Sequence, residues 1–310
     1  MISLLKNRTF ILVLAFTLGL IFSETASRAD ILTMPALSLV LTVSATQVSL
    51  KDFLPLTGTL RNVLIALILN YLVLGTVILI LAWWLMPTRD LWIGYVLVAT
   101  APPGVAVIPF THILKGNLKI SLVGTFGVYL ISLLVTPMLV YLLTGEAAVS
   151  PFRLVNTMFI YILIPFVISQ FINTGKPYQF ISTWRGTIIN WGFFVVILSI
   201  VGVNQEVFLK QLHVLIPVSI VAIISTFVLA LLVELTGRAF NLAEPERKSY
   251  ILLSTIKNAA FAAAVGLNLY SEAASIPGAV ISAWYALYFI ILGIIADRKN
   301  KEITGSEKTN

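Results

Sequence analysis

A lysine in the middle of an apolar run is the feature of this sequence with the clearest chemical potential. Lys257 stands within 249–270, flanked by Ser254, Thr255 and Asn258 where lipid-compatible residues would be expected. An ammonium at mid-membrane depth costs at least ~2.5–3.5 kcal/mol on insertion scales, so it should face a cavity or a partner rather than lipid. The plainer alternative is a lysine that snorkels to an interface. Lys257 lies about halfway along its run, which puts either interface out of easy reach. Such a residue can carry a proton, stand in for a cation, or pair with an anion. No carboxylate is placed to neutralise it. The acidic residue inside an apolar run is Glu234, and Arg238, one helical turn later, is its expected partner.

A second group lies far away in sequence. Pro102, Pro103, Gly104 and Pro109 interrupt the apolar run 91–113. Proline removes a backbone donor and frees a carbonyl. Facing lipid that carbonyl would be unsatisfied, whereas facing a cavity it can bind an ion or a water. A simple packing kink is the structural alternative. Asn70 and Tyr71 sit in the middle of 63–85, and Ser121 and Thr125, four residues apart, share one face of 120–143. Hydroxyls and amides in membranes commonly serve as interhelical hydrogen bonds, so these residues gain functional meaning only through Lys257.

The elements that must position them follow from composition. Of the 310 residues, 59% are hydrophobic and 11% charged, and the mean hydropathy is +1.00. A soluble domain carries roughly 25% charged residues, so lipid must cover most of this surface. Ten apolar runs approach the roughly 17–25 residues a membrane helix needs: 9–22, 31–48, 63–85, 91–113, 120–143, 154–172, 187–203, 212–236, 249–270 and 276–295. None alternates apolar with polar as barrel strands do, so the expected class is all-α. The first run is taken as a membrane helix rather than a cleaved signal peptide, despite Lys6 and Arg8 before it.

Lys and Arg alternate between loops. Lys6, Arg8, Lys51, Arg61, Lys115, Lys119, Lys176, Arg185, Arg238, Arg247, Lys248, Arg298, Lys299, Lys301 and Lys308 fall on one side. Arg28, Arg89, Arg153 and Lys210 fall on the other. That asymmetry puts both termini in the cytoplasm of an inner-membrane protein. It also accounts for the net charge of +7, which in a soluble chain would suggest nucleic acid; no nucleic-acid partner is expected. Ten spans divide into five and five, giving inverted repeats over 1–146 and 150–297, with a cytoplasmic tail over 298–310 that reads as disordered from Lys299 to Asn310. Spans four and nine then correspond, and both are interrupted, which marks a substrate site at matching positions.

Several chemistries are excluded. There is no cysteine and there are two histidines, so no thiolate or His/Cys metal centre can form. A Gly-rich phosphate loop, a His-Glu zinc motif and paired interior carboxylates are all missing. No enzyme, metal or resident cofactor is expected.

Read together, these residues resemble the bile acid:sodium symporter family. The resemblance lies in Pro102-Pro103-Gly104 followed by Leu114-Lys115-Gly116-Asn117, in Thr136-Pro137, and in Lys257-Asn258-Ala259-Ala260 with Ala273-Ala274-Ser275-Ile276-Pro277-Gly278-Ala279. It implies a core domain holding crossed, broken helices four and nine, and a panel domain of spans one, two, six and seven. Substrate would bind between them. It also implies two sodium sites, from which this sequence departs. The family's Ser-Asn pair falls on Val107 and Ile108, its Glu on Leu253 and its Gln on Lys257, while Asn70, Ser121, Thr125 and Asn258 keep polar character.

The expectation is a secondary transporter of a small organic anion, sodium-independent or proton-coupled. Lys257 would replace bound sodium, with Asn70, Ser121, Thr125 and freed carbonyls as acceptors and Asn258, Ser254 and Thr255 nearby. Its proton could be the coupling ion, or its charge could pair with the substrate. Sodium coupling through backbone carbonyls is the first rival, and a non-transporting membrane sensor or scaffold the second.

Overall fold

The computed structural model describes residues 7–47, 49–54, 56–145, 151–172 and 175–306. Among these every regular element is helical, and the sole β-type pairing is an isolated antiparallel bridge between Pro103 and Lys257. In lipid the backbone must satisfy its own polar groups, so Ile- and Val-rich runs that would suit strands in water become helices here.

In chain order the helices are α1 (Arg8–Ile21), α2 (Thr33–Ala45), and α3, which begins as Leu56–Leu67, passes through a π-helical stretch Ile68–Gly75 and ends as Thr76–Leu85. Then come α4 (Arg89–Thr100), α5 (Val107–Ile113) and α6 (Leu118–Thr144). The second half follows with α7 (Pro151–Met158, π-helical Phe159–Leu163, Ile164–Ile172), α8 (Gly175–Val203) and α9 (Leu212–Ile223, π-helical Ile224–Val228, Leu229–Ala239). The chain closes with α10 (Glu244–Thr255), α11 (Ala259–Leu269) and α12 (Glu272–Ser306).

Six stretches among the described residues are long and apolar enough to cross a membrane: Ser23–Ala45, Gly58–Leu85, Leu118–Thr144, Phe152–Ile172, Pro177–Val203 and Leu212–Ala239. Phe10–Ile21 and Ala259–Leu269 are apolar but shorter. The two runs read as interrupted spans, 91–113 and 249–270, are each two helices, α4 with α5 and α10 with α11. The tail expectation needs correcting: α12 continues as helix through Ser306. Ala296 to Ile303 contains no helix breaker, and helix formers dominate that stretch. Residues 307–310 lie outside the described part.

Helices α1, α2, α7 and α8 form one packed group, with α8 against both α1 and α2, and α7 against α2. The broken pairs are enclosed by another set: α12 lies along α4 and α11, while α6 lies along α3, α4, α5 and α10.

At the crossing the two broken helices meet backbone to backbone. Gly104 N–H donates to the Ile256 carbonyl at 3.0 Å, and Asn258 N–H donates to the Pro102 carbonyl at 2.8 Å. These bonds satisfy groups that the helix breaks would otherwise strand. Glycine is needed at 104 because a Cβ there would stand 2.8 Å from Ile256 Cγ2 and 2.9 Å from the Lys257 carbonyl oxygen.

Candidate functional site

Two different causes break the crossed helices. Helix α4 ends at Thr100 because Ala101 turns to extended backbone before Pro102, as a residue preceding proline prefers. Helix α10 ends at Thr255 without proline or glycine: Ile256 is extended and Asn258 caps α11, its side-chain oxygen accepting from Phe261 N–H at 3.2 Å. Pro109 lies beyond the break, in the first turn of α5, where a missing N–H costs no helical hydrogen bond. It therefore opens a helix and does not contribute to the interruption expected of it.

Lys257 is the charge at the centre. It is 1% exposed. Its Nζ donates to Asn70 Oδ1 at 2.7 Å and to the Ala101 carbonyl at 2.9 Å, and it lies 4.7 Å from the centre of the Tyr71 ring. An ammonium has three donors and no acceptor. Two oxygens and a π face therefore match its charged form. Asn70 and Tyr71 both come from the π-helical stretch of α3, an irregularity frequent at functional sites. The Ala101 carbonyl is available because α4 has just ended. Among the described residues no carboxylate forms an ion pair with Lys257.

A shell of hydroxyls holds this cluster in place. Lys257 N–H donates to Tyr285 Oη at 2.9 Å, and Asn258 Nδ2 donates to Tyr129 Oη at 3.1 Å. Thr136 Oγ1 donates to the Thr100 carbonyl at 2.6 Å and lies 3.1 Å from Tyr71 Oη. Sequence reasoning named Tyr71 only as a neighbour and missed Tyr129 and Tyr285. Their signal was a tyrosine inside an apolar span, which needs a partner for its hydroxyl when buried.

The other expected ligands are distributed differently. Thr111 Oγ1 donates to Ser121 Oγ at 2.7 Å, so Ser121 serves α5–α6 packing and is not brought to the ammonium. Among the described residues, buried Thr125 Oγ1 has no hydrogen-bond partner, and neither has Asn70 Nδ2. Ser254 and Thr255 both donate back to the Ile251 carbonyl, at 3.0 and 2.7 Å, a habit of hydroxyls within helices. Neither reaches Lys257 Nζ. The acceptor set expected for the lysine is thus half realised: Asn70 and a freed carbonyl are present, Ser121 and Thr125 are not. Glu234 meets Arg238 at 2.6 Å, as its spacing implies, and also Arg247 at 3.2 Å.

Beside the crossover lies a cavity of about 60 Å³, lined by Gly104, Lys257, Asn258, Ala259, Ala260 and Tyr285 among others. An apolar cavity of about 200 Å³ shares Leu12, Ile197, Ala260, Ser282 and Ala286 with it. Together they occupy the seam where α1 and α8 meet α11 and α12.

The model of the Sodium Bile acid symporter family matches residues 34–237. The chain belongs to that family. Its members are transporters and not enzymes, and this chain is a multi-pass membrane transporter of that type. It is also similar to the uncharacterized sodium-dependent transporter YocS of Bacillus subtilis (strain 168), 24% identical over 263 residues that cover 84% of this chain and 81% of the relative. As a symporter-family transporter it is expected to handle a small molecule together with an ion. The family match ends before α10 begins. Val107, Ile108 and Leu253, which stand where the family resemblance placed polar ligands, are fully buried. Leu253 packs toward Gly124, where a Cβ would lie 3.2 Å from its Cδ1. Among the described residues no group of three or more His, Cys, Asp or Glu could hold a metal ion.

Proposed function

We propose that this symporter-family chain carries a small organic anion by alternating access without requiring sodium, the Lys257 ammonium taking the place of a bound cation. The observation that carries this reading is the pair of short contacts from Nζ to Asn70 Oδ1 and to the Ala101 carbonyl, made across the crossing itself. One cation then ties α3, the end of α4 and the break after α10 together, the service a bound sodium would perform. A tethered charge cannot be released. Either it remains protonated and merely holds the crossover, or its proton leaves and returns with each cycle and supplies the coupling ion.

The arrangement belongs to a ten-span chain of two inverted five-span repeats, 1–146 and 150–297, with both termini cytoplasmic in an inner membrane. Its support is the sequence of elements: α4 with α5 and α10 with α11 occupy corresponding positions in the two halves, and α3 and α9 each carry a π-helical stretch. Rocking of α1, α2, α7 and α8 against the remaining helices would open the seam alternately. An anionic substrate would sit with its carboxylate near the start of α11, where first-turn N–H groups have no acceptor in their own helix and the dipole favours negative charge. Its apolar body would face Leu12, Ile197 and Ala286.

Sodium coupling is the second reading. YocS is named sodium-dependent, and the unpartnered Thr125 Oγ1 and Asn70 Nδ2 leave polar atoms near the crossover. Thermal stability of the purified protein, across a panel of small organic anions with and without sodium at several pH values, separates the two. Anion stabilisation indifferent to sodium supports the lysine reading, and pH sensitivity adds proton coupling. A sodium-dependent shift overturns it. Uptake into sealed vesicles disposes of a sensor or scaffold, which would bind the anion but never move it.

A further inference from the structure

A groove of about 440 Å³ runs between α3 and α9, away from the crossover, and Arg247 and Tyr250 of α10 close one end. Its lining is graded by polarity. On α3 it takes Arg61, Ile65, Leu69 and Val73, each four residues from the last, hence one stripe of one helix face. On α9 it takes Leu229, Val233, Gly237 and Phe240, a similar stripe running the opposite way. The two stripes place Arg61 and Phe240 at the same end and Val73 and Leu229 at the other. From Arg61 to Val73 is about 18 Å at helical rise, slightly more than half of a hydrocarbon core of roughly 30 Å. The groove thus descends from headgroup depth to about mid-bilayer, the reach of one acyl chain.

The charged end is built rather than incidental. Gly237 leaves room for Arg247, since a Cβ there would stand 2.9 Å from both Cγ and Cδ of that arginine. Arg247 is pinned by Glu234 at 3.2 Å and by the Leu242 carbonyl at 2.6 Å. Glu234 is shared with Arg238, and Glu246 lies within electrostatic reach of Tyr250, as does Arg61. Among the described residues no carboxylate pairs with Arg61, which is exposed at the mouth. One carboxylate serving two arginines, with a third arginine unpaired, leaves positive charge over an aliphatic slot. The mouth lies on the side that carries most Lys and Arg, where anionic headgroups attract basic side chains.

We infer that this groove holds an anionic phospholipid of the surrounding bilayer, its phosphate at Arg61 and Arg247 and one acyl chain along the α3–α9 stripes. The site is separate from the transport seam.

Native mass spectrometry of the full chain, released from bilayers of equal phosphatidylglycerol and phosphatidylcholine, tests it. One phosphatidylglycerol should stay bound in preference to phosphatidylcholine, and Arg61→Gln should weaken that retention about fivefold, the change expected for one basic side chain at an anionic surface. Ile65→Trp, which fills the slot without touching charge, should reduce retention of the lipid while α-helical content is unchanged. Inorganic phosphate at millimolar levels should not displace the lipid. Equal retention of both lipids by wild type, retention unaffected by both variants, or displacement by phosphate alone would overturn the assignment. So would a lipid-independent dimer that Ile65→Trp dissociates, since a second copy would then be the occupant.

Discussion

The two helix breaks at the centre of this transporter reach the same geometry by different chemistry. After α4 the chain is broken by its own covalent structure: Pro102 and Pro103 cannot continue a helix. After α10 the residues Ile256, Lys257 and Asn258 include no breaker, and each is held by something distant. The Ile256 carbonyl accepts from Gly104, Lys257 N–H goes to Tyr285, Asn258 N–H goes to Pro102, and Nζ goes to Asn70 and Ala101. The first break would persist in isolation, whereas the second exists only while its partners are in place. The Nζ contacts add to the second break a component that responds to the charge on Lys257, and a proline break has none.

The sharpest way to test that contrast is Lys257→Met, which keeps the stem and deletes the charge. Transport in sealed vesicles should vanish while membrane insertion survives. Two buried acceptors lose their donor, each at about 1–3 kcal/mol, so the melting temperature should also fall. Unchanged transport in this variant would sink the role given to Lys257. Asn70→Ala should come next, leaving the ammonium with the Ala101 carbonyl and the Tyr71 ring alone. Uptake should drop by about tenfold, the equivalent of one charged hydrogen bond of roughly 1.5 kcal/mol. An uptake rate equal to wild type would mean that the contact is packing alone.

Tyr285→Phe removes the acceptor of the Lys257 backbone N–H and nothing else of similar volume. A loss of about 1–3 kcal/mol in unfolding stability is expected for the stranded donor, read by thermal denaturation in detergent. The smallest effect should come from the first break. In Pro103→Ala the crossing bonds from Gly104 and Asn258 both remain, so stability should change by about 1 kcal/mol or less. If Pro103→Ala proves as damaging as Lys257→Met, the first break depends on one side chain as much as the second does.

Part of the candidate site was legible in the sequence. Lys257 and Asn70 stood out because a charge and an amide are expensive at mid-membrane depth, and Pro102-Pro103-Gly104 because proline acts locally. Ser121 and Thr125 were legible as a shared face but not as separate fates: the hydroxyl of Thr111, ten residues before Ser121, takes one of them. Ser254 and Thr255 were legible as polar residues in an apolar run but not as donors to the Ile251 carbonyl, since a hydroxyl in a helix can satisfy itself on its own backbone. Tyr129 and Tyr285 stayed hidden, since an aromatic in an apolar run looks the same whether it faces lipid or a polar cluster.

By itself the sequence determined that the chain lives in lipid and is helical, since 11% charged residues cannot cover a water-facing surface and a bilayer admits no unsatisfied backbone. It also determined that α4 must break, because Pro102 and Pro103 in succession remove two backbone donors and push Ala101, the residue before them, to extended backbone. Only the tertiary structure decided that α10 breaks at Ile256, that Asn70 and Ala101 receive the ammonium, and that Leu253 fills space beside Gly124. The reason is separation along the chain. Asn70 and Lys257 are 187 residues apart, and a hydrogen bond of 2.7 Å between them depends on where α3, α4 and α10 are packed, which no local pattern of residues encodes.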